Sequence, residues 1–131
     1  MAHTVSTFLM FEGTAEAAMQ FYASLLPNAE VVDISRYSDG EQGQAGTIKR
    51  ANFRLAGHDL IFFDSPVHHQ FTFTPAISLF VECDSEVELD RIFQELQTGG
   101  TVLMPVANYG FSTRFGWVND RFGVSWQLNL Q

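Results

Sequence analysis

The stretch Phe115-Gly116-Trp117-Val118-Asn119-Asp120-Arg121-Phe122-Gly123-Val124-Ser125-Trp126-Gln127 reads as strand, tight turn, strand. Asn119 and Asp120 have short polar side chains that can bond back to their own backbone. Gly123 can adopt the positive φ that a β-branched residue tolerates poorly. Beyond the turn, Val124, Trp126, Leu128 and Leu130 alternate with Ser125, Gln127 and Asn129. Such alternation marks a strand with one apolar and one polar face, and the polar face is where a site is to be sought.

Working outward, the pattern predicts strands at 101–106 and 111–118 before this turn, separated by a loop at 106–110. Upstream of them, Ser85 and Glu88 form a capping box, and Leu89, Ile92, Phe93 and Leu96 lie on one helical stripe that Gly99-Gly100 ends. A further strand is expected at 76–82. The first half of the chain runs in the same order. A strand at 4–11 is followed by Thr14, a good N-cap residue, and by a helix with Ala15, Ala18, Met19, Tyr22, Leu25 and Leu26 on its apolar face. Pro27 disfavours helical geometry at Leu26 and ends it. Strands follow at 30–37, 47–55 and 59–64, the last two joined by a turn at Ala56-Gly57-His58. The glycine-rich stretch 38–46 reads as a mobile loop, and 65–74, with Pro66 and His68-His69, as a linker.

Both halves therefore read strand, helix, strand, strand, strand. A shift of 71 residues carries Ala18, Phe21, Tyr22 and Leu25 onto Leu89, Ile92, Phe93 and Leu96. The apolar pattern repeats although the residue identities do not. Two modules are expected, at about 1–64 and about 75–131, each too short for a comfortable core of its own and together forming one domain.

The 131 residues are 46% hydrophobic and include thirteen Phe and two Trp, enough for an aromatic core with rings left over to line a pocket. A net charge of −8 disfavours nucleic acid and anionic membrane surfaces as partners. No apolar run approaches a membrane span, and Met1-Ala2-His3-Thr4 does not read as a secretory leader. The single Cys83 fits a reducing cytoplasm. Its carboxylate neighbours argue against a nucleophilic role, and packing is the default reading.

Tandem modules of this order resemble the vicinal oxygen chelate superfamily of glyoxalase, bleomycin-resistance and extradiol dioxygenase proteins. Three stretches narrow the resemblance: Phe8-Leu9-Met10-Phe11-Glu12-Gly13 leading to Phe21-Tyr22, then Ala76-Ile77-Ser78-Leu79-Phe80-Val81, then 117–127 with its Asp-Arg-Phe-Gly turn and Trp-Gln. Together they resemble the PhnB-like family, often described as demethylubiquinone 3-methyltransferase-like. The resemblance implies an α+β fold in which two tandem βαβββ modules form a curved, mostly antiparallel sheet with the helices outside, and it implies a homodimer. Methyl transfer finds no support in the residues, because Glu12-Gly13-Thr14 is not a glycine-rich cofactor loop.

In metal-bearing relatives, four ligands come from the first, fourth, fifth and eighth strands. Aligned through Phe21-Tyr22, these positions fall on Thr7, on Phe62 or Phe63, near Ala76, and on Gln127. No metal is expected there, because such side chains do not make a divalent-ion site. No cofactor is implied. His68 and His69, like His3 and His58, read as solvated.

The leading expectation is a cytoplasmic, metal-independent small-molecule-binding protein with an aromatic-lined cup. Its candidate lining residues are Thr7, Phe11, Phe62, Ser78, Arg114, Ser125 and Gln127. The alternative is an enzyme acting on a small organic substrate (a lyase, isomerase or dioxygenase-like activity), with Asp64 as base and Arg114 steadying an oxyanion. A third reading is an interaction protein whose cup is filled by its own Phe side chains.

Overall fold

The computed structural model describes residues 3–131, so Met1-Ala2, which did not read as part of a secretory leader, lie outside the described residues. The chain divides into two compact units, Met1–Gln70 and Phe71–Gln131. Each carries one helix and one four-stranded sheet, and the fold is α+β.

The first unit contains β1 (Thr7–Phe11), α1 (Ala15–Leu25), β2 (Ala29–Arg36), β3 (Ile48–Leu55) and β4 (His58–Asp64). Its sheet has the order β1-β4-β3-β2. Only the β1–β4 pair is parallel; β3 and β4 form a hairpin. The hairpin turn has positive φ at both Ala56 (49°) and Gly57 (86°), the mirror-image geometry that matches strand twist. Helix α1 buries Ala15, Ala18, Met19, Tyr22 and Leu25. Beneath them lie Leu9, Phe11, Phe53, Leu60 and Phe62, every second residue of their strands. Phe62 is ringed by Phe11, Tyr22 and Phe53, with centroids 5.6–5.9 Å away.

The expected N-cap at Thr14 makes no side-chain capping bond. Asp64 takes over the task from the end of β4. Its Oδ1 accepts from Gly13 N at 2.8 Å and Ala15 N at 3.0 Å, and its Oδ2 accepts from Ile48 N at 2.9 Å. One carboxylate thus satisfies donors at the start of α1 and of β3 and faces the positive end of the helix dipole. The stretch 38–46, expected to be a mobile loop, is tied down. The ring of Tyr37 packs on Gly43, Ser38 bonds to Glu41, and Glu41 pairs with Lys49.

The second unit contains β5 (Leu79–Glu82), α2 (Glu86–Gln97), β6 (Thr101–Ala107), β7 (Arg114–Asn119) and β8 (Ser125–Leu130), with sheet order β5-β8-β7-β6. Again one pair, β5–β8, is parallel. Ser85 caps α2 as expected, accepting from Glu88 N at 3.1 Å, and Glu88 accepts in return from Asp84 N at 2.8 Å. The buried stripe Leu89, Ile92, Phe93 and Leu96 is the expected one. Strand β7 begins at Arg114 rather than at Phe111. The residues ahead of it leave the sheet, and the rings of Tyr109 and Phe111 stack on each other and meet Phe115 edge-on.

Candidate functional site on the open face of the second sheet

The two faces of the second sheet are told apart by Gly116. A Cβ there would lie 2.5 Å from Phe93 of α2, so Gly116 faces the helix. Arg114 and Val118 share that face by alternation. Gly116 pairs with Leu128 and Val118 with Trp126, which puts Trp126 under the helix as well. Trp126 is wholly buried, and its Nε1 donates to Asp120 Oδ2 at 3.0 Å.

The opposite face is not covered by α2, and the register arranges it as a grid. Across it, Phe80 on β5 is opposite Gln127 on β8, which is opposite Trp117 on β7, which is opposite Met104 on β6. One step along lie Ser125 and Asn119, with Thr101 beyond; one step the other way lie Glu82, Asn129 and Phe115. Gln127 occupies the centre, flanked by Phe80 and Trp117 on strands about 5 Å to either side.

Hydrogen bonds knit this grid. Trp117 Nε1 donates to Ser125 Oγ at 2.8 Å, Ser125 and Ser78 share a hydroxyl bond of 2.7 Å, and Gln127 Nε2 donates to Ser78 Oγ at 3.2 Å. Asn129 Nδ2 donates to Glu82 Oε2 at 2.9 Å. Asn119 Oδ1 is buried and accepts from no group among the described residues. Phe80 and Phe111 are 55% and 60% exposed, large rings offered to whatever lies above the face.

Of the residues expected to line a cup, the structure brings Ser78, Ser125 and Gln127 together. The others point elsewhere. Phe11 and Phe62 belong to the core beneath α1. Thr7 shares their side of β1 by alternation, and its hydroxyl bonds to His58 Nε2 at 2.9 Å. Phe63 rather than Phe62 lies on the uncovered side of the first sheet, with its ring 5.6 Å from that of Phe8. Arg114, expected to steady an anion, makes a two-pronged bond to Asp90 of α2 at 2.9 and 3.0 Å, and this carboxylate raises the pKa of the guanidinium further. Asp64, the candidate base, is buried with both oxygens occupied by backbone N–H groups, so its geometry is that of a structural anchor. His68, expected to be merely solvated, bonds through Nδ1 to Glu12, which also accepts from His69 N. The His68 bond is the main cause of the lowered Glu12 pKa.

Trp117, Phe80, Asn119 and Glu82 were not anticipated as site residues. Parity with Gln127 across the hairpin was the available signal for Trp117, since the turn sets the register of the two strands.

The positions that carry metal in relatives do not fit an ion. Thr7 is bonded to His58, the Gln127 amide is directed at Ser78, and Phe62 is a core ring. Among the described residues, no three His, Cys, Asp or Glu side chains are grouped so that they could hold one.

Residues 3–129 match the family described as 3-demethylubiquinone-9 3-methyltransferase. The chain belongs to that family. It is PhnB-like, as the closing hairpin led one to expect. A PhnB protein from Bacillus cereus is 51% identical, with a TM-score of 0.95 over 98% of this chain and 100% of that one. Protein YjdN of Escherichia coli is 26% identical over 96% of this chain and 94% of its own length. The fosfomycin resistance protein FosX from Listeria monocytogenes is 13% identical with a TM-score of 0.62, covering 100% of this chain and 94% of that one, a likeness of fold alone. No helix among the described residues is long and apolar enough to cross a membrane.

Proposed function

We propose that this protein binds a small organic molecule, without a metal ion, on the open face of its second sheet. The observation that carries the reading is the Trp117–Ser125–Ser78–Gln127 network set among exposed rings. A polar network costs stability when it is left dry and half-satisfied, and a few placed polar groups among aromatic side chains are what ligand sites are made of. Methyl transfer is not part of the reading. Each unit has a single helix on a mixed sheet, whereas nucleotide-type cofactors favour a doubly wound parallel sheet with a glycine-rich turn.

The reading includes a homodimer in the cytoplasm. Self-association is supported by edge strand β2, where Val31, Val32 and Ile34 are exposed. The reducing compartment is supported by the single, buried cysteine. Catalysis with Asp64 and Arg114 is less well supported, because both side chains are engaged in structural bonds.

A thermal-shift screen of metabolites and aromatic compounds tests the proposal, with hits repeated on Gln127→Ala. Binding that weakens in the variant, persists in chelator and accompanies no stoichiometric metal supports it. Hits that bind Gln127→Ala as tightly as the parent, or that need a divalent ion, contradict it.

A further inference from the structure

The chemistry of the open face also selects the charge of its occupant, and this inference rests on the binding proposal above. Three of the side-chain N–H groups described there are bonded within the protein. Trp117 Nε1 is directed at Ser125, Gln127 Nε2 at Ser78, and Asn129 Nδ2 at Glu82. Gln127 Oε1 and Glu82 Oε1 accept no side-chain hydrogen bond among the described residues, and Asn119 Oδ1 is a buried acceptor without a donor.

Formal charge separates the possible occupants. Glu82 is the only charged residue in the grid. The second unit, 71–131, contains seven Asp and Glu against three Arg, and no Lys or His. None of the three arginines stands in the grid. Arg114 is bonded to Asp90, Arg91 lies on α2, and Arg121 sits in the hairpin turn over the ring of Phe122. An anion brought here would meet a like charge with no cation in the grid to receive it, whereas a cation would meet both a carboxylate and aromatic faces. Phe80 stands two residues from Glu82 on the same side of β5, about 7 Å along the strand.

We infer that the site takes a small organic cation, an ammonium or amidinium group carried on an aromatic or similarly flat apolar body, with its N–H donors directed at Glu82 and Gln127. The apolar body covers Phe80 and Trp117, and the charge is balanced by Glu82.

Three probes of similar shape separate the possibilities: 2-phenylethylamine as the cation, 2-phenylethanol as the neutral form and phenylacetate as the anion, each titrated calorimetrically into the intact protein. The amine is expected to bind about tenfold more tightly than either of the others, a margin that shrinks with added salt. Glu82→Gln is expected to erase most of that margin, because the amide can still accept from Asn129 but carries no charge. Phenylacetate binding as well as the amine, or an unchanged margin in Glu82→Gln, overturns the cation inference and leaves the binding proposal standing. Failure of all three probes to bind overturns both.

Discussion

Asp120 and Trp126 are joined across the closing hairpin by a buried hydrogen bond, Trp126 Nε1 to Asp120 Oδ2, at 3.0 Å. The other oxygen of the same carboxylate accepts from Phe122 N at 2.8 Å and Val124 N at 3.0 Å. The residue that shapes the turn therefore also fixes the largest ring of the second core. Because turn and ring are locked together, the strand parity that exposes Ser125, Gln127 and Asn129 on the other face is locked too.

Asp120→Asn should destabilise the protein by about 1–3 kcal/mol. An amide that keeps its oxygen on the two turn N–H groups must present its NH2 to the indole N–H, donor against donor. Chemical denaturation measures the loss. In a double-mutant cycle, the same change in a Trp126→Phe background should cost less, because the conflicting donor is gone.

The extent to which the fold was legible follows from which interactions are local. The capping box at Ser85, the stripe on α2, the hairpin and the inward Trp126 depend on residues a few positions apart, and alternation or helical spacing exposes them. The two units were legible for the same reason, as one pattern repeated. The candidate site was only partly legible. Ser78, Ser125 and Gln127 came from residues counted off a well-marked turn. Thr7 and Phe62 came from an alignment anchored on a helix one turn away, and a slip of one residue there sends a strand residue to the wrong face. Asp64 and Arg114 looked chemically available because their partners are distant in sequence: Gly13 and Ala15 lie about fifty residues away, and Asp90 lies 24 away. The bonds of Ser78 to Ser125 and Gln127 join residues nearly fifty positions apart, which no local pattern exposes.

Gly100 and Gly116 should differ in their tolerance of a methyl group. A Cβ on Gly116 would meet the Phe93 ring at 2.5 Å and Val106 Cγ2 at 3.0 Å, side chains that can shift at a cost of about 1–3 kcal/mol. A Cβ on Gly100 would meet the backbone oxygen of Asn119 at 2.2 Å, where β6 pairs with β7 and neither chain can yield alone. Gly100→Ala is expected to lower the melting temperature more than Gly116→Ala. The reverse order would show that the helix–sheet contact is less forgiving than the strand pair.

Cys83 gives a pH signature at the alkaline end. Burial, with Glu88, Glu82 and Asp84 nearby, pushes its thiol up to about 12 from an ordinary value of 9.0. The folded protein then holds this proton at pH values where the unfolded chain has released it. The contribution is complete below about 9 and is lost as pH rises from there toward about 12. A Cys83→Ala variant should show a shallower fall of stability over this window. In the parent, alkylation of the thiol at pH 8 should be slow until denaturant is added.

Glu41 does the converse in acid. Bonds from Lys49 and from Ser38 hold its carboxyl down at about 2 against an ordinary 4.5. Its depressed pKa means that the attachment of the 38–46 loop is complete above about 4.5 and is lost as pH falls through about 2. Hydrogen exchange at Ser38 N, which donates to this carboxylate at 2.7 Å, should lose protection over that range. Glu41→Gln should loosen the same amide at neutral pH and remove the acid dependence. Protection at Ser38 that stays flat down to the lowest pH would show that the loop is held by its backbone bonds, Gly46 N to Tyr37 O among them, and not by Glu41.

Asp64→Asn separates a structural carboxylate from a catalytic one. The side chain accepts three backbone N–H groups through two oxygens, and an amide can match only one side of that arrangement. The helix α1 terminus or the start of β3 is left with a donor facing a donor, and a loss of about 1–3 kcal/mol is expected in chemical denaturation. Ligand binding on the second sheet should survive under conditions where the variant is folded, because Gln127, Ser125, Ser78 and Trp117 are bonded to one another within the second unit. A variant with unaltered stability but abolished turnover of some substrate would reverse the assignment and return Asp64 to the role of a base.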